Sequence, residues 1–263
     1  MYSGKKIGVI VPAHNEEAFV GSVIRFMPAF VDRIYVVNDA STDGTAQIVS
    51  GEASRNSKLV LINREHKGGV GAAVLSGHSM ALQDGMDVLA VMAGDGQMDP
   101  VYLERIIQPI VDNKADYSKG NRLSNGSDRQ EMPAWRLFGN VLLTYLTRIA
   151  SGYWNISDPQ NGYTAISAKT LKKLDVDGIE RGFAFENDML VRLNIVGARV
   201  VDVPHSALYG GQKSKIRYSR FIARTGWVLI KDSVWRIWIK YFRGDVHAAQ
   251  ALAKRNETKV VQK

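Results

Sequence analysis

The chain has 263 residues, 45% of them hydrophobic and 23% charged, with no cysteine and a net charge of +8. That length supports a sizeable core, either one large domain or a domain with an appendage. The missing cysteines exclude disulfides, thiolate catalysis and zinc–thiolate sites, and fit a reducing compartment.

The charge is unevenly placed. Lys and Arg crowd residues 212–243, where Asp232 is the single acid. Such a segment suits an anionic partner: phosphate, nucleic acid or an acidic membrane surface. The N-terminus carries no secretory pattern, and the absence of a run of about 18 apolar residues argues against a membrane span.

In chain order, residues 7–11 read as a strand, followed by Pro12-Ala13-His14-Asn15-Glu16-Glu17 and a helix to about residue 27. A second strand at 34–37 leads through Asn38-Asp39-Ala40-Ser41-Thr42-Asp43-Gly44 into a helix over 45–54. The third strand, 59–62, precedes Lys67-Gly68-Gly69-Val70-Gly71 and a helix to about residue 83. Residues 88–92 form a fourth, buried strand that ends in Ala93-Gly94-Asp95-Gly96-Gln97. Strands separated by single helices imply right-handed βαβ units and a mostly parallel, Rossmann-like sheet.

Each turn has two readings. The first suits a helix cap, the second an Asx-turn closed by Asp43 or Thr42, and the third is too short of the Walker spacing to be a phosphate loop on its own. In the fourth, Asp95 either caps the helix starting near Pro100 or, with Gln97, offers oxygen ligands to a divalent cation on a substrate diphosphate. All four turns nevertheless fall on one rim of the sheet, where open α/β folds bind ligands.

Further on, a short strand at 115–119 is followed by Arg122, while Arg136 and Asn140 lie one helical turn apart and share a face. Arginine bonds phosphate oxygens in pairs and stays charged, which suits an anionic substrate. In the segment 216–242, Arg217, Arg220, Arg224 and Lys231 fall near one helical face, with Phe221, Val228, Trp235 and Trp238 on or near another. That pattern fits a helix lying at a membrane interface. Packing against the catalytic domain, or a homo-oligomer contact, are its alternatives.

The sequences IVPAHNEE, VVNDASTDGT, GGVGAA and GDGQMDP, in this order, resemble the GT-A fold of inverting family 2 glycosyltransferases. The pieces KGNR at 119–122, Met132-Pro133 with Arg136 and Asn140, DPQNGY at 158–163 and YGGQKSK at 209–215 are similar to the polyprenyl-phosphate (dolichyl-phosphate) sugar synthase branch. The resemblance implies a catalytic domain over 1–215, an amphipathic segment over 216–243 and a polar tail over 244–263.

It also implies that Pro12, His14, Glu16 and Asp39 line a nucleoside pocket, with Asp39 nearest the base or ribose, and that Lys67 and Gly68 border the nucleotide. Asp95 and Gln97 are then expected to hold Mg²⁺ or Mn²⁺, although Ala93 stands where the branch usually has a first aspartate. Arg122, Arg136, Asn140, Lys213 and Lys215 are expected to bind the acceptor phosphate. Asp158 is expected to anchor the turn shaping the sugar pocket, and Asp188 occupies the place of a general base in related transferases.

The function implied is transfer of a hexose or N-acetylhexosamine from a nucleotide-diphosphate sugar, UDP-linked in the first instance, to a polyprenyl or dolichyl phosphate. The enzyme would sit peripherally on the cytoplasmic face of the membrane. A GDP-mannose donor, or a sugar-hydroxyl acceptor with Asp188 as base, are the alternatives. A nucleic-acid-binding reading leaves the rim turns idle and lacks an aromatic platform, so no nucleic-acid partner is expected.

Overall fold

The computed structural model describes residues 1–124, 134–206 and 218–242. Seven strands form one sheet in the order β3-β2-β1-β4-β6-β5-β7. They are β1 (Ile7–Ala13), β2 (Arg33–Asn38), β3 (Leu59–Asn63), β4 (Val88–Val91), β5 (Tyr117–Asn121), β6 (Thr164–Ser167) and β7 (Val200–Pro204). Only β6 runs against its neighbours, pairing antiparallel with both β4 and β5, while β5 and β7 are parallel. The other six strands therefore point the same way, and their C-terminal ends share a rim with the N-terminal end of β6.

The central strands are apolar on both faces because helices cover both. One side is filled by Val9, Val11, Val36 and Ala90 against Val20, Ile24 and the Ile106–Ile107 pair. The other is filled by Ile10, Tyr35, Leu89 and Ile166 against Ala73, Val74 and Leu190. The helices concerned are α1 (Val20–Arg25), α2 (Thr45–Ala53), α3 (Val70–Gln83) and α4 (Leu103–Val111). They are followed by α5 (Ala134–Ser151), the short α6 (Ala168–Leu171), α7 (Phe185–Ile195) and α8 (Tyr218–Ile237), which passes into a π-helical turn at Trp238–Phe242.

Helix α8 is not a detached appendage. Leu229 packs with Leu143 and Ala150 of α5 and Val191 of α7, with Trp235 at the edge of the cluster. The domain-facing side of α8 thus includes Val228, Leu229 and Trp235, whereas Trp227, Ile230, Val234, Ile237 and Trp238 are exposed. This corrects the apolar face expected from the sequence. Val228 and Trp235 point to the protein, and a different stripe is left outside. Among the described residues, no helix is long and apolar enough to cross a membrane.

Candidate active site

The loops after β1 and β2 are tied to each other. Asn15, held at φ 56°, accepts a hydrogen bond at Oδ1 from Thr42 N, and its own N–H donates to Ser41 Oγ. Glu17 Oε2 accepts from Gly44 N at the start of α2, and Asp43 accepts from Thr45 N, Thr45 Oγ1 and Glu17 N. Burial opposes the charge on Asp43, but these hydrogen bonds outweigh it and hold the carboxyl below its usual range. Pro12 is buried, and its carbonyl accepts from Gly94 N, which stitches the end of β1 to the turn after β4. A side chain on Gly94 would meet Ala13 Cβ and Pro12 O, each at 3.2 Å, so this close approach favours glycine.

Asp39 is buried at the end of β2. Its Oδ1 accepts from Gly68 N at 2.9 Å and its Oδ2 from Gly69 N at 2.8 Å, while Arg64 Nε lies 3.0 Å from Oδ1. Gly71 N and Ala72 N donate to the Arg181 carbonyl. The glycine turn therefore turns its N–H groups inward. It orders Asp39 and docks onto the segment preceding α7, in place of a phosphate cradle. Lys67 is exposed beside it, and His14 Nδ1 donates to Asp39 O at 2.9 Å.

The turn after β4 removes the capping reading of Asp95. The residue that caps the following helical turn is Asp99, whose side chain accepts from Val101 N at 2.9 Å. Asp95 Oδ1 accepts from Gln97 N at 3.0 Å, with Gly96 at φ 73° closing the bend. Both Asp95 and Gln97 are half-buried on the rim. Among the described residues no group of three His, Asp or Glu side chains gathers. One carboxylate and one amide oxygen form a hard but incomplete ligand set, which suits a Mg²⁺- or Mn²⁺-sized ion that shares its coordination with phosphate oxygens and water.

Strand β5 ends at Asn121, two residues later than expected. Arg122 follows and is locked to the buried Asp158 by Nε–Oδ2 at 2.8 Å and Nη2–Oδ1 at 3.1 Å. Burial alone would raise the Asp158 carboxyl, but the Arg122 charge and hydrogen bonds reverse this and hold it below the ordinary range. Arg136 and Asn140 lie on α5, with side chains outside the described set, and Lys213 and Lys215 lie outside the described residues altogether.

Asp188 makes its hydrogen bonds within α7 and to the segment just before it. It is buried in the first turn of α7, with Oδ2 accepting from Glu180 N at 2.7 Å and Oδ1 from Arg192 Nε at 2.9 Å. Burial raises its carboxyl despite the arginine. Arg192 in turn stacks 4.9 Å from the Trp235 ring, so Asp188 faces the junction of α7 and α8.

A polar cluster beneath the rim went unassigned in the sequence. Lys119 is fully buried, with Nζ 2.5 Å from Asn161 O and 2.9 Å from Glu186 Oε2. Asn161 Oδ1 accepts from Tyr163 N, so its Nδ2 donates to His205 Nε2 at 2.6 Å, and His205 Nδ1 donates to Ser206 O. This fixes a neutral Nδ1–H tautomer for His205. Its ring covers Gly120, where a Cβ would lie 2.7 Å from the imidazole. The sequence signal was a lysine inside a strand, but its partners stand 42 and 67 residues away.

The sheet and its polar rim are those of a GT-A fold. The chain belongs to glycosyl transferase family 2, whose model matches residues 8–175, and it is a glycosyltransferase. It is similar to the UDP-N-acetylglucosamine–dolichyl-phosphate N-acetylglucosaminyltransferase of Methanococcus voltae, with 28% identity covering 78% of this chain and 86% of that protein. It is likewise similar to the undecaprenyl-phosphate mannosyltransferase of Micrococcus luteus, with 32% identity covering 76% and 82%. Among solved structures, glucosyl-3-phosphoglycerate synthase from Mycobacterium tuberculosis in complex with Mn²⁺, UDP and phosphoglyceric acid superposes with a TM-score of 0.65. The identity there is 19%, over 89% of this chain and 79% of that one.

Proposed function

We propose that this glycosyltransferase moves a hexose or N-acetylhexosamine from a nucleotide-diphosphate sugar, UDP-glucose or UDP-N-acetylglucosamine in the first instance, to a polyprenyl phosphate. The observation that carries the acceptor reading is Arg122, a guanidinium oriented by Asp158 at the end of β5. It stands on the same rim as Asp95, and two relatives take a lipid phosphate as acceptor.

Asp95 and Gln97 would hold a divalent cation. When bound, that ion neutralises the diphosphate leaving group. Pro12, His14, Glu16 and Asp39, with Lys67 and Gly68, would form the nucleotide side. Asp39 acts there by ordering the Gly68–Gly69 turn as much as by touching the nucleoside. Arg122 would bind and orient the acceptor phosphate, supported by Arg136, Asn140, Lys213 and Lys215. An acceptor phosphate oxygen attacks the anomeric carbon in line, the carbon–oxygen bond to the diphosphate breaks, and the anomeric centre inverts. The phosphate oxygen carries no proton to remove, so Asp188 is a positioning residue at the base of α7.

The exposed stripe of α8 supports peripheral attachment to the cytoplasmic leaflet. Trp227 and Trp238 are 69% and 48% exposed, next to Lys231 and Lys240. Tryptophan and lysine together suit the headgroup layer.

The test is a panel of UDP- and GDP-sugars, offered with a short polyprenyl phosphate and with the unphosphorylated polyprenol. Transfer to the phosphate alone is expected. A GDP-mannose donor, which the Micrococcus luteus relative makes a specific alternative, would change the sugar but not the acceptor. Transfer to polyprenol or to simple sugars would overturn the proposal.

A further inference from the structure

Glu186 is a half-held carboxylate. Both of its donors, Lys119 Nζ at 2.9 Å and Tyr117 Oη at 3.3 Å, bind Oε2. Burial and the adjacent Glu186 charge keep the Tyr117 hydroxyl protonated, so it remains a donor. Among the described residues Oε1 has no hydrogen-bond partner, and the side chain retains 11% exposure.

That oxygen points towards Gly162, at the N-terminal end of β6. A Cβ built on Gly162 would lie 3.9 Å from Glu186 Oε1 and 3.3 Å from Met98 Cε. Met98 Sδ in turn lies 3.2 Å from Ala93 N, two residues before Asp95. A continuous path therefore runs from the Asp95 turn through Met98 and the bare backbone of Gly162 to Oε1. A carboxylate with one oxygen clamped by a buried lysine and the other presented beside the backbone of Gly162 is built to accept hydrogen bonds from a polar, uncharged ligand. An anion would meet like charge there. Hydroxyl-rich groups are the natural match, and the site lies beside the turn expected to hold the diphosphate.

The geometry points to Glu186 as a specificity-determining residue that accepts hydrogen bonds at Oε1 from hydroxyl groups of the sugar being transferred, with Lys119 as the positioning residue that fixes its orientation. This assignment rests on the nucleotide-sugar reading above. A side chain at Gly162 would press on Met98 Cε and narrow the approach to Oε1, which explains its absence at a position whose φ does not demand glycine.

The experiment compares binding of UDP with UDP-glucose and UDP-N-acetylglucosamine, and of GDP with GDP-mannose, by calorimetry on the full chain with Mn²⁺ present. Glu186→Gln removes the charge and keeps the volume. It should bind the nucleoside diphosphates as wild type does, but weaken binding of the preferred nucleotide sugar by about ten- to a hundredfold, as expected for loss of a charge-assisted hydrogen bond. Gly162→Ala leaves Lys119 and Glu186 in place and sets one methyl group between Met98 and Oε1, so it serves even if Glu186→Gln fails to fold. It should weaken the same nucleotide sugar selectively. Unchanged sugar binding in a folded Glu186→Gln variant or in Gly162→Ala, or an equal loss for diphosphate and sugar, overturns the Glu186 assignment alone. If wild type binds no nucleotide sugar in the panel, the donor reading falls and this assignment falls with it.

Discussion

Arg122 and Asp158 are joined by two parallel hydrogen bonds across 36 residues, with the carboxylate buried and the guanidinium partly open to the rim. The fork is thus oriented before any substrate arrives, which lowers the ordering cost of binding a phosphate.

Substituting Arg122 by Lys keeps the charge and removes the fork. The apparent KM for polyprenyl phosphate should rise about tenfold or more, since a charge-assisted hydrogen bond contributes about 1.5–3 kcal/mol. The KM for the sugar nucleotide should move far less. Asp158→Asn should reproduce the acceptor defect in milder form, because Arg122 remains but loses its charged anchor. Steady-state kinetics with each substrate varied in turn decide the matter. Equal shifts for both substrates would assign Arg122 to the donor or to structure.

Asp95→Asn should abolish most transfer while leaving the melting temperature close to that of wild type, because an amide oxygen still accepts from Gln97 N. EDTA should act likewise on wild type, with Mn²⁺ or Mg²⁺ restoring activity. Full activity in EDTA would remove the metal role, a sharp test given that Ala93 supplies no second carboxylate.

The parts of this architecture visible in the sequence were local. Apolar runs followed by polar turns placed β1 to β4 and their helices within a residue or two, and the four rim turns came with them. What depended on contacts between distant segments was not visible. That Asp99 and not Asp95 caps the turn before α4 is decided by side-chain direction. The burial of Lys119 becomes intelligible only once Glu186 and the Asn161 carbonyl are beside it. The face of α8 was misjudged because periodicity gives a stripe but not its partner. α5 and α7 already offered an apolar seat for Leu229 and Trp235, with Val228 buried as well, so other side chains were left outside.

That outer stripe gives a third prediction. Wild type should sediment with vesicles rich in anionic lipid and be released by salt, since each Lys or Arg near such a surface contributes about 1 kcal/mol. Replacing exposed Trp227 and Val234 together by Glu should abolish sedimentation without lowering the melting temperature. Retained binding in the double variant would move the membrane contact elsewhere.

His78 supplies a pH test of the fold. It is buried in α3 with neither ring nitrogen hydrogen-bonded among the described residues, and burial pushes its pKa from 6.5 down to about 4. The unfolded imidazole takes up a proton near pH 6.5, whereas the folded one does so only near 4. Its contribution is therefore fully present above the unfolded value, declines as the pH falls through this window and levels off below it. At about 1.4 kcal/mol per unit, the loss approaches about 3 kcal/mol. Denaturant unfolding of wild type and His78→Leu across this range should show the wild type losing stability relative to the variant as the pH falls. A constant difference would mean that His78 protonates as easily in the folded chain as in the unfolded one.

Asp188 separates the two transfer chemistries. A sugar hydroxyl must lose its proton as it attacks, so a mechanism with Asp188 as base predicts a loss of about 10²–10⁴-fold in turnover for Asp188→Asn. A lipid phosphate has its second pKa near 6 and attacks as an oxyanion, so it needs no such group. Both oxygens of Asp188 are engaged, by Glu180 N and Arg192 Nε, and the residue lies at the α7–α8 junction. Asp188→Asn should therefore act first on stability. It leaves the buried Arg192 with only the more distant, half-exposed Asp175 at 3.6 Å as counter-charge, a loss of about 1–3 kcal/mol that thermal unfolding will register. With polyprenyl phosphate as acceptor, turnover well below the melting transition should fall less in Asp188→Asn than kcat/KM for the acceptor falls in Arg122→Lys. The opposite order, with a normal melting temperature and turnover reduced to the range expected for loss of a base, would make Asp188 catalytic and the acceptor a hydroxyl.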